Sequence, residues 1–168
     1  MPEPGDIGPA PRRRAIYLLP NLLTTGTLFA GFYGIVASID GNYQPACIAV
    51  FIAALLDGMD GRLARLTHTE SEFGKQYDSL SAMVSFGLAP AVIVYQWGLV
   101  RLADYGWIWA KLGWLAAFVY AVAGALRLAR FNVHARAGGD RRFFEGLPSP
   151  SAAGLMMSMV WLGTDLGW

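Results

Sequence analysis

The chain has 168 residues, room for one domain, and 55% of them are apolar against 15% charged, with a mean hydropathy of +0.39. That balance excludes an ordinary soluble domain, and a formal net charge of +1 supplies no broad basic field for nucleic acid. Cys47 is the single cysteine, which excludes an intramolecular disulfide and a cysteine-built zinc site and leaves it as a small packing residue in an apolar run.

Residues 1–14 read as a disordered basic lead. Positions 1–11 carry four of the nine prolines and no apolar periodicity, and Arg12, Arg13 and Arg14 follow. Residues 15–168 read as one transmembrane domain. Within it, the runs 15–39, 79–100 and 146–164 contain no Asp, Glu, Lys or Arg, and each approaches the roughly 20 residues that cross a bilayer. The run 41–56 is shorter, but helix can continue from it through the charged motif at 57–65. The run 105–126 is interrupted only by Lys111. The fold expected is an all-α integral membrane bundle with five visible spans, and a sixth in a longer parent chain. Asn21, Thr24, Thr25 and Thr27 make the first run too polar for a signal peptide, and Pro20 stands near its start.

Between the spans, residues 40–45 predict a tight external turn, 66–77 a polar cytoplasmic connection, 104–106 a short external turn, and 134–145 a basic, glycine-containing cytoplasmic loop. No internal repeat is visible. The basic residues orient the bundle. Arg12, Arg13, Arg14, Arg62, Arg65, Lys75, Arg127, Arg130, Arg136, Arg141 and Arg142 fall on one side, and only Arg101 and Lys111 on the other. The N-terminus and the side bearing the acidic motif are therefore expected to face the cytoplasm.

That motif is Asp57-Gly58-Met59-Asp60-Gly61-Arg62-Leu63-Ala64-Arg65, followed by Gly74, Asp78 and Ala82 at intervals of four. On a helix, Asp57, Asp60, Gly61, Ala64 and Arg65 share one face, and Gly74, Asp78 and Ala82 share a face of the next. Two antiparallel helices can then gather three carboxylates. Acids at the edge of a membrane span are costly unless offset, and oxygen ligands suit Mg²⁺, Mn²⁺ or Ca²⁺ rather than zinc. Gly61, Ala64 and Gly74 leave room for a bulky ligand, and Arg65 can hold a phosphate. The plainer alternative is that these aspartates only cap helices at the interface.

The string Asp57-x-x-Asp60-Gly61-x-x-Ala64-Arg65, eight residues, then Gly74-x-x-x-Asp78-x-x-x-Ala82 resembles the signature of the CDP-alcohol phosphotransferases. That signature has a fourth aspartate where this chain has Ala82. The segments Pro20-Asn21-Leu22-Leu23-Thr24, Arg127-Leu128-Ala129-Arg130-Phe131-Asn132 and Gly146-Leu147-Pro148-Ser149-Pro150 are similar to those of its branch of bacterial membrane-embedded phosphatidylserine synthases. The resemblance implies transfer of a phosphatidyl group from CDP-diacylglycerol to L-serine, with release of CMP, in a bacterial cytoplasmic membrane. It implies Asp57, Asp60 and Asp78 as ligands of a divalent metal, Mg²⁺ or Mn²⁺, with Ca²⁺ as another occupant. It assigns Asn21, Thr24, Gly61, Ala64, Arg65 and Gly74 to the donor, and it implies a homodimer. Position 82 would hold the general base, so Ala82 implies a folded but crippled enzyme.

For the acceptor, Arg127 and Arg130 can pair with the serine carboxylate or simply anchor the helix end to lipid phosphates. Ser149 and Ser151 can line the same pocket, although the adjacent prolines also mark the irregular start of span five. Another alcohol acceptor, glycerol phosphate or inositol phosphate, stays within the family. A small cation transporter would explain the acids but not the neighbouring arginine. His68 and His134 lie outside the motif. Trp97, Trp107, Trp109, Trp114, Tyr95 and Tyr105 read as an aromatic belt, and Met156, Met157 and Met159 as packing or lipid-facing residues. Gly31 and Gly34 permit close helix contact.

Overall fold

The computed structural model describes residues 11–67, 71–136 and 147–167, with side chains for 21–63, 71–133 and 147–167. Among these residues the chain is all helical. In order come α1 (Pro11–Ile39), α2 (Tyr43–Thr67), α3 (Glu72–Ala82), a π turn (Met83–Leu88), α4 (Ala89–Trp97), a 3₁₀ segment (Leu99–Tyr105), α5 (Trp107–Arg136) and α6 (Ser149–Asp165). The third rod, α3 through α4, is continuous over Glu72–Trp97.

The five expected spans are five helical rods. Three contain a stretch long and apolar enough to cross a membrane: Asn21–Ile39, Glu72–Trp97 and Trp107–Val133. The rod α2 has the length, 25 residues, but its C-terminal half carries Asp57, Asp60, Arg62 and Arg65. The rod α6 has 17 residues, which at 1.5 Å each gives about 25 Å against a hydrocarbon core of about 30 Å.

Several boundaries differ from the sequence expectations. The helix α1 begins at Pro11, so Arg12, Arg13 and Arg14 stand on it, and Pro20 lies within it rather than at its start. Residues 1–10 lie outside the described residues. The polar connection expected over 66–77 is much shorter, because α2 runs to Thr67 and α3 starts at Glu72. Ser71 caps that start: its Oγ accepts from the Gly74 N–H at 2.9 Å, satisfying one of the donors that a helix N-terminus leaves open. The loop expected at 134–145 loses its first residues to α5, which continues to Arg136; 137–146, with Arg141 and Arg142, lie outside the described residues. The turn at 104–106 is the end of the 3₁₀ segment, closed by Gly106 at φ 121°.

The first two helices form a close hairpin. Its turn holds Gly41 at φ 77°, a left-handed conformation that favours glycine, and the Asn42 N–H closes it on the Ala37 carbonyl at 2.8 Å. The seam is built from small side chains: Ala30 and Ala37 on α1 face Ala46, Cys47, Val50 and Ala53 on α2, all buried. A Cβ placed on Gly34 would lie 3.2 Å from the Ala46 carbonyl oxygen. In lipid, helices associate through such close packing rather than through the hydrophobic effect.

The π turn follows from Pro90. Proline has no N–H, so it cannot serve as the α-helical donor to the Phe86 carbonyl four residues earlier, and its ring crowds that carbonyl. The freed carbonyl accepts instead from Tyr120 Oη on α5 at 3.2 Å. The turn also brings Ser85 against α1, where its hydroxyl donates to the Thr27 carbonyl at 2.9 Å. One turn earlier, Ser81 donates to the Thr24 carbonyl at 3.1 Å. These two rungs demand a bare α1 surface, and Gly31 supplies it: an added Cβ would contact Ser85 Oγ and lie 2.7 Å from Ser85 Cα.

The last two rods differ in burial. On α6, Ala153, Met157, Val160 and Gly163 are buried against α2 and α4, while Met159 is exposed. In α5 only 11% of the membrane-length window is buried, leaving Trp107, Trp109, Trp114 and Phe118 exposed as an apolar surface suited to lipid. Its one charge near the start, Lys111, rests over the Trp107 ring at 4.6 Å.

Substituting Gly31→Ala is expected to push α1 off the π turn and lower unfolding stability in micelles by about 1–3 kcal/mol. Gly58→Ala, where an added Cβ meets nothing within 4 Å, is expected to leave stability unchanged or raise it by up to about 1 kcal/mol. Equal losses at both positions would contradict this account of the α1 contact.

Candidate metal centre

Asp57 and Asp60 stand one turn apart on α2, and Asp78 stands on α3. The helices bring them together: one carboxylate oxygen from each lies within 4.8 Å of the others. Asp60 is buried at 3% exposure, and Asp57 and Asp78 are half-buried. Oxygens facing each other across a hard divalent cation stand at twice the metal–oxygen bond, about 4.1 Å for Mg²⁺ and about 4.8 Å for Ca²⁺. The cluster therefore has the dimensions of such a site without movement of the helices.

Its hydrogen bonding is incomplete in a telling way. Asp60 Oδ2 accepts from Thr24 Oγ1 at 3.0 Å. Asp60 Oδ1 and Asp78 Oδ1 are buried and accept from nothing. Among the described side chains no lysine or arginine pairs with any of the three acids; the ion pair seen there, Lys75 with Glu72 at 3.5 Å, lies on the outer surface of α3. Buried carboxylate oxygens without donors are costly, and three mutually repelling acids more so. A bound divalent cation offsets both. The donor set fits one, being all oxygen, with hydrogen bonding that fixes one ligand.

Room exists beside the acids. An added Cβ at Gly58 or Gly61 would meet nothing within 4 Å. Gly74 is closer: its added Cβ would lie 3.1 Å from Ser71 Oγ and 3.6 Å from Asn21 Oδ1, so Asn21 and Gly74 are neighbours across α1 and α3. Ala64 and Arg65 continue the same stretch of α2, and their side chains lie outside the described ones.

Thr24, which the resemblance assigns to the donor, is buried with its hydroxyl on Asp60. Beside it, Thr25 Oγ1 pairs with Tyr77 Oη at 3.0 Å, while also donating to the Asn21 carbonyl. Sequence reasoning missed these α1 contacts. The signal was present as neighbouring hydroxyls, Thr24 and Thr25 on α1 and Ser81 and Ser85 at helical spacing on the third rod, a pattern that glues membrane helices.

Position 82 lies one turn beyond Asp78 on the same face of α3. Ala82 is buried, within the apolar core that includes Ala30 and Phe86. The expected acceptor residues are more scattered. Leu128 packs on the core, and Asn132, one turn further along α5, bonds to Ser79. Arg127 and Arg130 are rotated from Leu128 by roughly 100° and 160° in a regular helix, and Arg130 is exposed. Ser149 and Ser151 sit in the first turn of α6, half-buried and exposed respectively.

Comparison with known proteins adds an independent line. The family model for CDP-alcohol phosphatidyltransferase matches residues 17–168. A CDP-diacylglycerol–serine O-phosphatidyltransferase of Helicobacter pylori is 38% identical over 147 residues, covering 88% of this chain and 59% of that protein. The protein of the same name from Mycobacterium leprae is 36% identical over 161 residues, covering 92% and 51%. An archaetidylserine synthase of Methanothermobacter thermautotrophicus is 40% identical over 147 residues, covering 86% and 58%. The chain thus spans between 51% and 59% of the length of these relatives. No solved structure matches significantly.

Thr24→Val removes the hydroxyl on Asp60 at nearly constant volume. It is expected to weaken Mn²⁺ binding by the roughly 10–100-fold typical of lost outer hydrogen bonds to a ligand, measured by paramagnetic resonance of free Mn²⁺. Thr24→Ser is expected to retain affinity, and unchanged affinity in Thr24→Val would remove the threonine from the centre.

Proposed function

The chain belongs to the CDP-alcohol phosphatidyltransferase family, and on that premise we propose that its acidic centre serves phosphatidyl transfer from CDP-diacylglycerol to the hydroxyl of L-serine. The observation that carries this reading is the convergence of Asp57, Asp60 and Asp78 with two donor-less buried oxygens. Relatives named as serine transferases in two bacteria, and as an archaetidylserine synthase in an archaeon, support serine over glycerol phosphate or inositol phosphate. Membership in the family also weighs against ion transport as the use of these acids.

In this reading Asp57, Asp60 and Asp78 hold Mg²⁺ or Mn²⁺, which when bound screens the anionic diphosphate and stabilises charge at the transferring phosphorus. Thr24 fixes the Asp60 carboxylate. Gly58 and Gly61 leave the α2 backbone bare, so that the bulky nucleotide can approach, with Ala64, Arg65, Gly74 and Asn21 at its border. The serine oxygen attacks the phosphatidyl phosphorus, the bond from that phosphorus to the CMP oxygen breaks, and CMP leaves with the electron pair. The hydroxyl proton must depart as the new bond forms. A carboxylate at position 82 would project from the same helix face as Asp78 and could take that proton; the Ala82 methyl cannot. The chain therefore binds metal and donor but turns over slowly. Arg127, Arg130, Ser149 and Ser151 remain the candidates for holding the serine carboxylate. The centre faces the cytoplasm of a bacterial inner membrane, where the basic residues concentrate and where serine and magnesium are available, and the protein works as a homodimer.

Ala82→Asp is expected to raise serine-dependent CMP release by roughly 10²–10⁴-fold, the usual worth of a positioned general base. Glycerol 3-phosphate and inositol phosphate should give no comparable gain, and adding Asp78→Asn should abolish it. Equal rates for the chain and its Ala82→Asp variant would overturn the assignment of position 82. A gain with another alcohol would replace serine as acceptor.

A further inference from the structure

The helix α5 lies against the π turn and α4 and stands off α3. At the level of the acids, the side chains of Ser79 and Asn132 bridge the two helices. Asn132 Nδ2 lies 2.9 Å from Ser79 Oγ, and Ser79 Oγ lies 3.0 Å from the Lys75 carbonyl and 3.3 Å from Asn132 Oδ1. A serine hydroxyl has one proton. The shorter and better partner for it is the Lys75 carbonyl, so Ser79 donates there and Asn132 donates to Ser79. That assignment also fixes which way the asparagine amide faces. Both side chains are half-buried on membrane-length helices, where such a bond is poorly replaced by water.

Ser79 directly follows Asp78, and Tyr77, which precedes it, holds Thr25 on α1 at 3.0 Å. Successive helical residues are about 100° apart. Three consecutive side chains therefore engage three neighbours: Tyr77 reaches α1, Asp78 reaches the α2 acids, and Ser79 reaches α5. The acid is flanked by one hydrogen-bonded tie on either side. The rotation of α3 matters because the centre is small. A turn of roughly 20° moves an atom at a helix's outer radius of about 5–6 Å by about 2 Å, the full length of a Mg²⁺–oxygen bond.

We propose that Asn132 is a positioning residue for Asp78. By holding Ser79 it sets the rotation of α3 and so keeps the Asp78 carboxylate within reach of Asp57 and Asp60. The proposal rests on the reading of these acids as a cation centre. It gives the asparagine on α5 a task separate from that of Arg127 and Arg130, which lie on other faces of the same helix.

The test uses the full chain in detergent micelles with Mn²⁺ alone as the probe, read by paramagnetic resonance of the free ion. Asn132→Leu and Ser79→Ala are each expected to weaken Mn²⁺ binding by about 3–10-fold, below the effect of a direct outer partner of a ligand. The double variant should be no weaker than either single one, because both remove one bond. Thermal unfolding without metal should stay unchanged in Ser79→Ala. Unchanged Mn²⁺ affinity, strictly additive losses, or lowered metal-free stability with intact affinity would each overturn the proposal. Asp78→Asn in the otherwise unaltered chain supplies the reference. If it leaves Mn²⁺ binding untouched, the cation-centre reading itself fails and the positioning role falls with it. If it abolishes binding while Asn132→Leu has no effect, only the positioning role is lost.

Discussion

Mutual repulsion among three carboxylates is the constraint around which this bundle is arranged. Their oxygens lie within 4.8 Å of one another, with Asp60 buried and Asp57 and Asp78 half-buried. Unit charges 4 Å apart repel by about 4 kcal/mol even at an effective dielectric of 20. Such a cluster is favoured where the helices that carry it are fixed by contacts elsewhere and where a cation reverses the sign of the interaction. The apolar seam of α1 and α2 supplies the first condition. The two carboxylate oxygens without donors point to the second.

The helix α1 does more than cover the hairpin. Thr24 reaches Asp60, Thr25 reaches Tyr77, and the carbonyls of Thr24 and Thr27 receive Ser81 and Ser85. Individual interhelical hydrogen bonds in membranes average only about 0.6 kcal/mol, so no single rung fixes α3. Several in register do, and they operate only because Gly31 lets the backbones close to contact. Polar rungs and bare glycine are therefore one device: hydroxyls fix the height of α3 against α1 and constrain its rotation from that side, and those coordinates bear on whether Asp78 meets Asp57 and Asp60.

The centre was legible in the sequence because its information is local. Asp57 and Asp60 are one turn apart, Asp78 follows a short connection, and helical periodicity alone puts them on facing surfaces. The five rods were legible for the same reason, as runs with little or no charge, one broken by Lys111 and one continuing into the acidic motif. What escaped notice depends on pairs distant in the chain. The bond from Thr24 to Asp60 spans 36 positions, and that between Ser79 and Asn132 spans 53. No periodicity reports which hydroxyl meets which acid. The polar residues of 66–77 look like loop in the sequence, whereas Ser71 uses that polarity to start a helix and the connection is shorter. The π turn was readable in principle from Pro90, but the partner for the freed Phe86 carbonyl, Tyr120, becomes visible only once α5 is in place.

Alanine at position 82 fits this economy of charge. The residue is buried among Ala30 and Phe86 and is one turn from Asp78. A carboxylate at the same place would add a fourth acid to a cluster in which two oxygens already have no donor, and an apolar methyl adds none. Position 82 contributes to the scaffold only as apolar packing, in the same core as the α1–α2 seam, while the serine rungs, the Ser71 cap and the flanking ties of Tyr77 and Ser79 lie at other positions. Alanine at position 82 leaves the meeting of Asp57, Asp60 and Asp78 to helix contacts, and presents a methyl rather than a carboxylate one turn beyond Asp78.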